Sequence, residues 1–399
     1  MSVEARLRMA RGWQLAGRVD AAISAYEEVV ATVPTYDQGY IELARLHLGR
    51  GDLDDSFRYL RLATEHKGHA NQIHKITVDA LVARGGISEA FAHYGLSRID
   101  DRPLAPPDAP VVACLIVRNE ALRLPYVIDY HRKLGVDHFF VVDNGSEDGS
   151  VEWLRQTTGV NAWSTTMAYG EANWGLTWME VVLRAHRPRG WCLFVDADEL
   201  LTYPGDDRWS IPELTGQLEA EGVSALPAVM LDLYSDRAVA DTVARPGQDP
   251  REVCQFFDRR WHHYVTESHG PFLNQRGYWG GARQRVFPKV ENYYLSKVPL
   301  LRYDRDRILT GGQHYTNGPA NQISSRRAAL IHTKFFSSLP DGARQEIDRG
   351  EHYDGAVDYR HYVDRFEKDE GLSLFDPEES VRYEGTAQLV ALGVCREGP

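Results

Sequence analysis

The segment Asp196-Ala197-Asp198-Glu199 places two carboxylates one residue apart and a third beside them. It follows Gly190-Trp191-Cys192-Leu193-Phe194-Val195, an apolar run bounded by glycine and then by acids. Such a run reads as a buried strand of an α/β sheet. The acids then stand at the strand's C-terminal edge, where open α/β sheets bind ligands. Two carboxylates at that spacing suit a hard divalent cation that also holds a substrate diphosphate. A strand-end turn leading into a helix uses the same residue types, since Asp and Glu favour helix starts.

Two earlier strand ends are also polar. Arg118-Asn119-Glu120 ends an apolar run over 111–117, and Asp143-Asn144-Gly145-Ser146-Glu147-Asp148-Gly149-Ser150 follows a second run over 138–142. Three polar strand ends along one sheet edge make a common crevice. Asn144-Gly145 provides a tight turn, and Ser150 is placed to cap the next helix. Turn chemistry leaves out Asp143, whose carboxylate is expected to point into the crevice, and the charged pair Arg118 and Glu120. Taken with the acids, they favour a nucleotide site.

Later in the chain, Gly280-Gly281-Ala282-Arg283-Gln284-Arg285-Val286-Phe287 places two arginines two apart, on one face if extended. They are expected either to fork onto phosphate oxygens or to form a solvated basic edge. His332 and Lys334 share a face of the strand-like run 330–335. His314, in Gly311-Gly312-Gln313-His314-Tyr315, has no assigned role. His262, His263 and His269 cluster near Trp261 and Tyr264, with a spacing that matches no ligand pattern. An acceptor loop and plain packing are both open for them.

The elements that must position these groups alternate. After the strand over 111–117 come helical spacing over 122–134, a strand over 138–142 and a helix over 150–157. A short strand over 160–163, a helix over 174–186 and the strand over 191–195 follow. That alternation implies a mainly parallel sheet with helices on both faces. Before it, the first hundred residues repeat. Gly17, Gly51 and Gly85 are 34 apart; small residues Ala22, Ser56 and Ala90 follow each by five; Tyr26, Leu60 and Tyr94 follow by four more. Pro34 closes the first unit, and Gly68 takes its place in the second. A 34-residue period with a glycine turn is the signature of helix-turn-helix solenoids, and resembles tetratricopeptide repeats over 3–98. Such a platform either binds a protein partner or caps the next domain. Four prolines, Pro103, Pro106, Pro107 and Pro110, make 99–110 read as a stiff, extended linker.

Composition narrows the classes. The net charge is −12, which argues against nucleic acid or a polybasic membrane patch as the main partner. The four cysteines form no CxxC pair and no zinc spacing, which fits a reducing compartment. The N-terminus has no apolar leader segment and no stretch approaches eighteen uninterrupted apolar residues, so a soluble cytoplasmic protein with no transmembrane segment is expected.

The three strand-end motifs, in this order and spacing, resemble family 2 glycosyltransferases of the GT-A fold over 111–340. The branch is the one with Val-Arg-Asn-Glu, Val-Asp-Asn-Gly-Ser-x-Asp-Gly-Ser and Asp-Ala-Asp-Glu. The resemblance implies a GT-A α/β domain over 111–340, preceded by an all-α repeat domain (1–98) and the linker (99–110). A mostly helical extension (341–399) would pack on the transferase domain. It also implies a nucleotide-diphosphate sugar donor and a glycan, lipid-linked or protein acceptor. Arg118, Asn119, Glu120 and Asp143 would contact base and ribose. Asp196 and Asp198 would hold Mn²⁺ or Mg²⁺ on the diphosphate, with His332 as a further ligand, and Glu199 would support them. Arg283, Arg285 and Lys334 would lie near phosphate. An inverting transferase needs a carboxylate to take the acceptor's proton. Asp232 and Asp236, in Met230-Leu231-Asp232-Leu233-Tyr234-Ser235-Asp236, are the candidates, with Asp258 and Glu267 as alternatives. The chain lacks the Glu-Asp pair that processive relatives carry before a helix, after a glycine-rich loop and ahead of Gln-x-x-Arg-Trp, which argues against a processive synthase. Two rivals stand beside this reading. One is an inactive transferase-like scaffold that recruits a partner through its repeats. The other is a nucleotidyltransferase, disfavoured because no glycine-rich phosphate loop follows the first strand.

Overall fold

The computed structural model describes residues 2–66, 70–187, 189–267, 276–288, 292–351 and 353–398. The chain divides into two units. One holds Met1–Leu96 with Leu176–Ala185, the other Ser97–Gly175 with His186–Pro399.

The first unit is built from helical hairpins: α1 (Val3–Leu15) on α2 (Val19–Thr32), α3 (Asp37–Arg50) on α4 (Leu53–Glu65), and α5 (Ala70–Gly85) on α6 (Ile87–His93). Ala22, Ser56 and Ala90 are fully buried, and Tyr26, Leu60 and Tyr94 nearly so. The small residues sit where helices must approach closely, as the repeat predicts. Gly17 and Gly51 take positive φ at the turns. In the third hairpin that position falls to Gly86, and Gly85 is still helical. Gly68 lies outside the described residues.

The second unit begins with β1 (Ser97–Arg98), β2 (Val111–Val117), α7 (Leu124–Lys133), β3 (His138–Asp143), α8 (Ser150–Gln156) and β4 (Val160–Ser164); α9 (Leu176–His186) follows in the chain but falls, up to Ala185, in the first unit. The second unit continues with β5 (Gly190–Phe194), β6 (Glu199–Thr202), α10 (Ile211–Ala220), β7 (Ala225–Asp232), β8 (Phe256–Asp258), β9 (Tyr264–Thr266), β10 (Gly277–Trp279) and α11 (Gly281–Val286). It ends with β11 (Ser296–Tyr303), β12 (Ala328–His332), α12 (Leu339–Arg349), α13 (Tyr353–Lys368), β13 (Ser380–Arg382) and α14 (Thr386–Ala391).

Nine strands form one sheet in the order β1-β4-β3-β2-β5-β11-β7-β12-β6. The pairings make β2, β3, β4, β5, β7 and β12 run one way and β1, β6 and β11 the other. The C-terminal ends of β2, β3, β5, β7 and β12 therefore share an edge with the beginnings of β6 and β11. Every strand-end motif lands on that edge. The interior strands are apolar on both faces because both faces are covered, as with Val112, Ala113, Leu193, Val229 and Leu330. A second apolar cluster of Phe287, Tyr293, Phe335, Leu339, Tyr362, Leu372 and Leu374 fixes α12 and α13 to α11 and the end of β12.

Two expectations are corrected here. The proline-rich segment, expected as a stiff, extended linker, is hydrogen-bonded along the sheet edge. Ile99 N–H donates to the Ala162 carbonyl, Asp100 accepts from Ala162 N–H, and Arg102 donates to the Val160 carbonyl. Ala105 N–H and Asn161 also pair. Prolines cannot supply a ladder of donors, so side chains of Asp100, Arg102 and Asn161 complete it. The helical unit also takes in most of α9. Lys75 Nζ lies 2.9 Å from Glu180 Oε1, Arg184 Nε is 2.6 Å from the same oxygen, and Arg184 reaches Asp79 at 2.5 Å. A cut at residue 108 removes Lys75 and Asp79 and leaves α9 without the helices it clusters with. The fragment 108–399 is expected to aggregate or to melt well below the full chain. A soluble fragment with an unchanged melting temperature would refute this.

Candidate functional site

Parallel pairing puts Val117 beside Asp143, so the loops after β2 and β3 leave the sheet side by side. They are stitched together. Asn119 N–H donates to Ser146 Oγ (2.8 Å), Glu147 N–H to Asn119 Oδ1 (2.8 Å), Glu120 N–H to Ser150 Oγ (2.9 Å) and Ala121 N–H to Asp148 (2.9 Å). Ser150 thus serves the neighbouring loop, and Gly149 takes the helix-cap position expected of Ser150. Asp143 is fully buried and closes its own turn by accepting from Gly145 and Ser146 N–H. It is Asn144, not Asp143, that lines the crevice.

The crevice encloses about 1040 Å³. Arg118, Asn119 and Glu120 line it, with Asp196, Asp198, Arg283, His332 and Lys334. Glu120 grips Arg123 with both oxygens (2.6 and 2.8 Å), and burial pushes its carboxyl up to about 7. Arg123 in turn reaches Asp198 at 3.5 Å.

At the motif acids, Glu199 opens a strand, β6, not a helix. In the register of the sheet, His332 stands opposite Asp232 on one side and Glu199 on the other. That register brings three groups from distant sequence positions together. His332 Nδ1–H donates to Asp232 at 2.6 Å, and its Nε2 faces Asp198 Oδ2 at 3.3 Å. Arg283 Nε holds the other Asp232 oxygen at 2.8 Å. Burial alone would raise the Asp198 carboxyl, but His332 and Arg123 outweigh it and hold it well below the usual range. Burial would likewise lower His332, but the Asp198 and Asp232 carboxylates keep it above its ordinary value.

Among the described residues, no three His, Cys, Asp or Glu side chains are grouped as a complete metal site. Asp198 and His332 do converge. Their 3.3 Å separation is close to the edge, about 3 Å, of an octahedron with metal–ligand bonds of about 2.1 Å. A ligating imidazole ordinarily gives its second N–H to a carboxylate, the part Asp232 takes here. Small divalent cations are commonly held by one or two protein groups, with substrate phosphates and water completing the shell. The pair fits that pattern.

Several expected residues lie elsewhere. Asp232 has 2% of its side chain exposed and both oxygens committed, which is a poor state for a proton acceptor. Asp236 is exposed and does not line the crevice. Arg285 does not join Arg283, because 281–286 is helical and not extended, so the two point apart. Arg285 instead clamps Asp258 (2.9 and 2.7 Å) and the Leu374 carbonyl. Asp258 is buried between Arg285 and the Tyr234 hydroxyl, and Glu267 pairs with Arg276. His262 packs on Trp261 and Tyr278, away from the crevice lining, and His269 is outside the described residues.

Sequence reasoning missed Lys297, Tyr169 and the crevice wall made by α12 and α13, with Arg349, Asp358, Tyr359 and Tyr362. Arg349 bonds Asn144 Oδ1 and pairs with Glu351 at 2.6 Å, whose carboxylate accepts from Tyr169 N–H. The one visible signal was Lys297, a charge between Ser296 and the apolar run Val298–Leu301 of β11.

No protein-family profile matches the chain. A glycosyltransferase family 92 protein of Oryza sativa subsp. japonica is 29% identical over 161 residues, which cover 37% of this chain and 26% of that protein. The chain thus matches about a quarter of that relative's length. A mutant O-GlcNAc transferase of Thermobaculum terrenum overlays with a TM-score of 0.21 at 16% identity, over 46% of this chain and 44% of that one. That overlay is too poor to bear on the fold. No helix among the described residues is long and apolar enough to cross a membrane.

Proposed function

We propose that this chain is a glycosyltransferase that moves one sugar from a nucleotide-diphosphate donor to a hydroxyl acceptor, non-processively and with inversion, using Mn²⁺ or Mg²⁺. The observation that carries the reading is the Asp198–His332 pair, anchored by Asp232, at the edge where β2, β3 and β5 also end. The likeness to a family 92 glycosyltransferase points the same way. A cation at that pair supplies neutralisation of the leaving nucleoside diphosphate. Arg118, Asn119, Glu120 and Asn144 form the end of the crevice that suits base and ribose. Lys334, whose charge acts on Asp198, serves the phosphates. The acceptor is a glycan, a lipid-linked sugar or a protein, and the helical hairpins offer a surface for a protein partner.

The acceptor's proton goes to Asp358 of α13. This acid lines the crevice, and its charge acts on Tyr293 and Tyr362 beside Arg283. Asp358→Asn is expected to lower kcat by about 10²–10⁴-fold while UDP affinity stays within about twofold.

Donor hydrolysis across UDP- and GDP-sugars, with Mn²⁺, Mg²⁺ or EDTA, tests the whole reading. Turnover is expected with metal and should fall at least about tenfold in EDTA. No binding of any nucleotide sugar in Mn²⁺ would sink it. Binding without turnover on any acceptor pool would make the chain the inactive scaffold.

A further inference from the structure

One corner of the crevice wall made by α12 is tied down through a single side chain. α12 ends at Arg349, and Gly350 follows in the left-handed region with φ +67°. Residues two apart on a helix do not face each other. The left-handed glycine turns the chain back, so Glu351 comes to lie beside Arg349, with Oε2 2.6 Å from Arg349 Nη2. The same nitrogen of Arg349 donates to Asn144 Oδ1 on the loop after β3. The Arg349 side chain is 13% exposed, so these bonds are made largely out of water.

Each partner passes the constraint on. Asn144 gives its side-chain amide to the Thr165 carbonyl at 3.2 Å and to the Met167 carbonyl at 2.9 Å. Those two acceptors decide which end of the amide is nitrogen, so Oδ1 must face Arg349. The Asn144 main-chain N–H donates to the Val117 carbonyl at 2.9 Å, which brings in the end of β2. Glu351 Oε2 accepts from the Tyr169 N–H at 2.6 Å. The Arg349 guanidinium stands over the Tyr169 ring, 5.9 Å from its centre. Gly175 leaves room for that ring, since a Cβ there would lie 3.1 Å from Tyr169 Cε2. The contacts close a circuit from Asn144 through Arg349, Glu351 and Tyr169 back to Met167. The loop after β3, the segment after β4 and the end of α12 meet in it. Asn144, Tyr169 and Arg349 all line the crevice.

None of these bonds involves Asp198 or His332. The circuit lies where β2 and β3 end, which is the nucleoside end of the crevice in the proposed function. We infer that Arg349 is a positioning residue. Acting through Asn144 and Tyr169, it holds the α12 wall to the loops after β3 and β4 and so shapes the end that takes the donor's nucleoside. This rests on the glycosyltransferase reading for the ligand, and on the geometry alone for the circuit. The nucleoside is held alike before and during sugar transfer, so losing its grip shows in KM and not in kcat.

The test uses the full chain. It measures UDP and GDP binding in Mn²⁺ by titration calorimetry, donor KM and kcat, and thermal melting. Arg349→Met is expected to weaken nucleotide binding and raise donor KM at least about tenfold, with kcat within about threefold. Glu351→Ala should act in the same direction. The double variant should bind nucleotide no more weakly than Arg349→Met alone, because a single circuit is broken only once. Where Arg349→Met does not fold, Arg349→Lys carries the test. It keeps the charge but not the fork that spans Asn144 and Glu351, and should still raise KM at least about threefold at unchanged kcat. A merely structural arginine would lower the melting temperature and leave nucleotide affinity alone. A folded Arg349→Met or Arg349→Lys that binds nucleotide as tightly as the unmodified chain would overturn the proposal. So would fully additive losses from Arg349→Met and Glu351→Ala. Should the unmodified chain bind nucleotide yet consume no donor, the transferase reading fails, and the nucleotide affinities still decide the role of Arg349. If it binds neither nucleotide, both are refuted.

Discussion

Asp198→Asn is expected to reduce donor turnover by about 10²–10³-fold, or ~3–4 kcal/mol of barrier, while leaving the fold intact. Asp198 presents one oxygen to His332 Nε2 at 3.3 Å and another contact to Arg123 at 3.5 Å. Both basic partners keep a second carboxylate when it is gone. Arg123 is still gripped by Glu120, and His332 still donates to Asp232. No buried charge is stranded, so the melting temperature should move by only a few degrees. In the proposed reading what is lost is a negative ligand beside the donor phosphates, which would matter most as charge develops on the leaving group. The measurement is donor hydrolysis at saturating Mn²⁺, with thermal melting as a control. A variant that keeps more than half of its turnover would reduce the acidic motif to a strand-end turn.

Much of this site could be read from the sequence, and the largest part that could not depends on pairing between distant strands. Residues next to a strand's end are local. Arg118, Asn119, Glu120, Asp196 and Asp198 were legible because each follows its own apolar run, and parallel strands deliver such ends to one edge. The positions of Ala22, Ser56 and Ala90 were legible for a similar reason, since a 34-residue period repeats one packing solution. Groups set by pairing between distant strands were not legible. Nothing near Asp232 announces that it will lie opposite His332, a hundred positions away. Nor does the sequence near Lys297 show that the register of β11 against β7 will shift between Lys297 and Leu300. Arg285 was misplaced because six residues that could have been extended form a turn of helix instead. The wall from α12 and α13 was missed because amphipathic helices bear no mark of which crevice they close. The prolines of the linker gave no sign that Asp100 and Arg102 would tie it to the sheet edge.

The sharpest consequence of the pairing concerns Asp232, which the sequence offers with Asp236 as a candidate proton acceptor. Its two oxygens hold His332 at 2.6 Å and Arg283 at 2.8 Å, all three side chains being buried. Burial would raise its carboxyl, but Arg283 and His332 outweigh that and keep it ionised. Asp232→Ala strands a buried guanidinium and an imidazole, so it is expected to cost about 3–5 kcal/mol of stability. For a domain of this size that is a fall in melting temperature on the order of 10 °C. Asp232→Asn keeps the shape and one acceptor oxygen and should cost less. Both variants loosen the orientation of His332, so Mn²⁺ affinity should drop about 10–100-fold. Turnover lost in this way should return in part as Mn²⁺ is raised, because the remaining ligands still bind at higher concentration. A missing proton acceptor behaves differently, since added metal cannot replace it. Stability, Mn²⁺ affinity and metal rescue therefore separate the two roles. If Asp232→Asn melted like the unmodified chain, bound Mn²⁺ as tightly and had still lost its turnover at every metal concentration, the proton acceptor would be Asp232 and not Asp358.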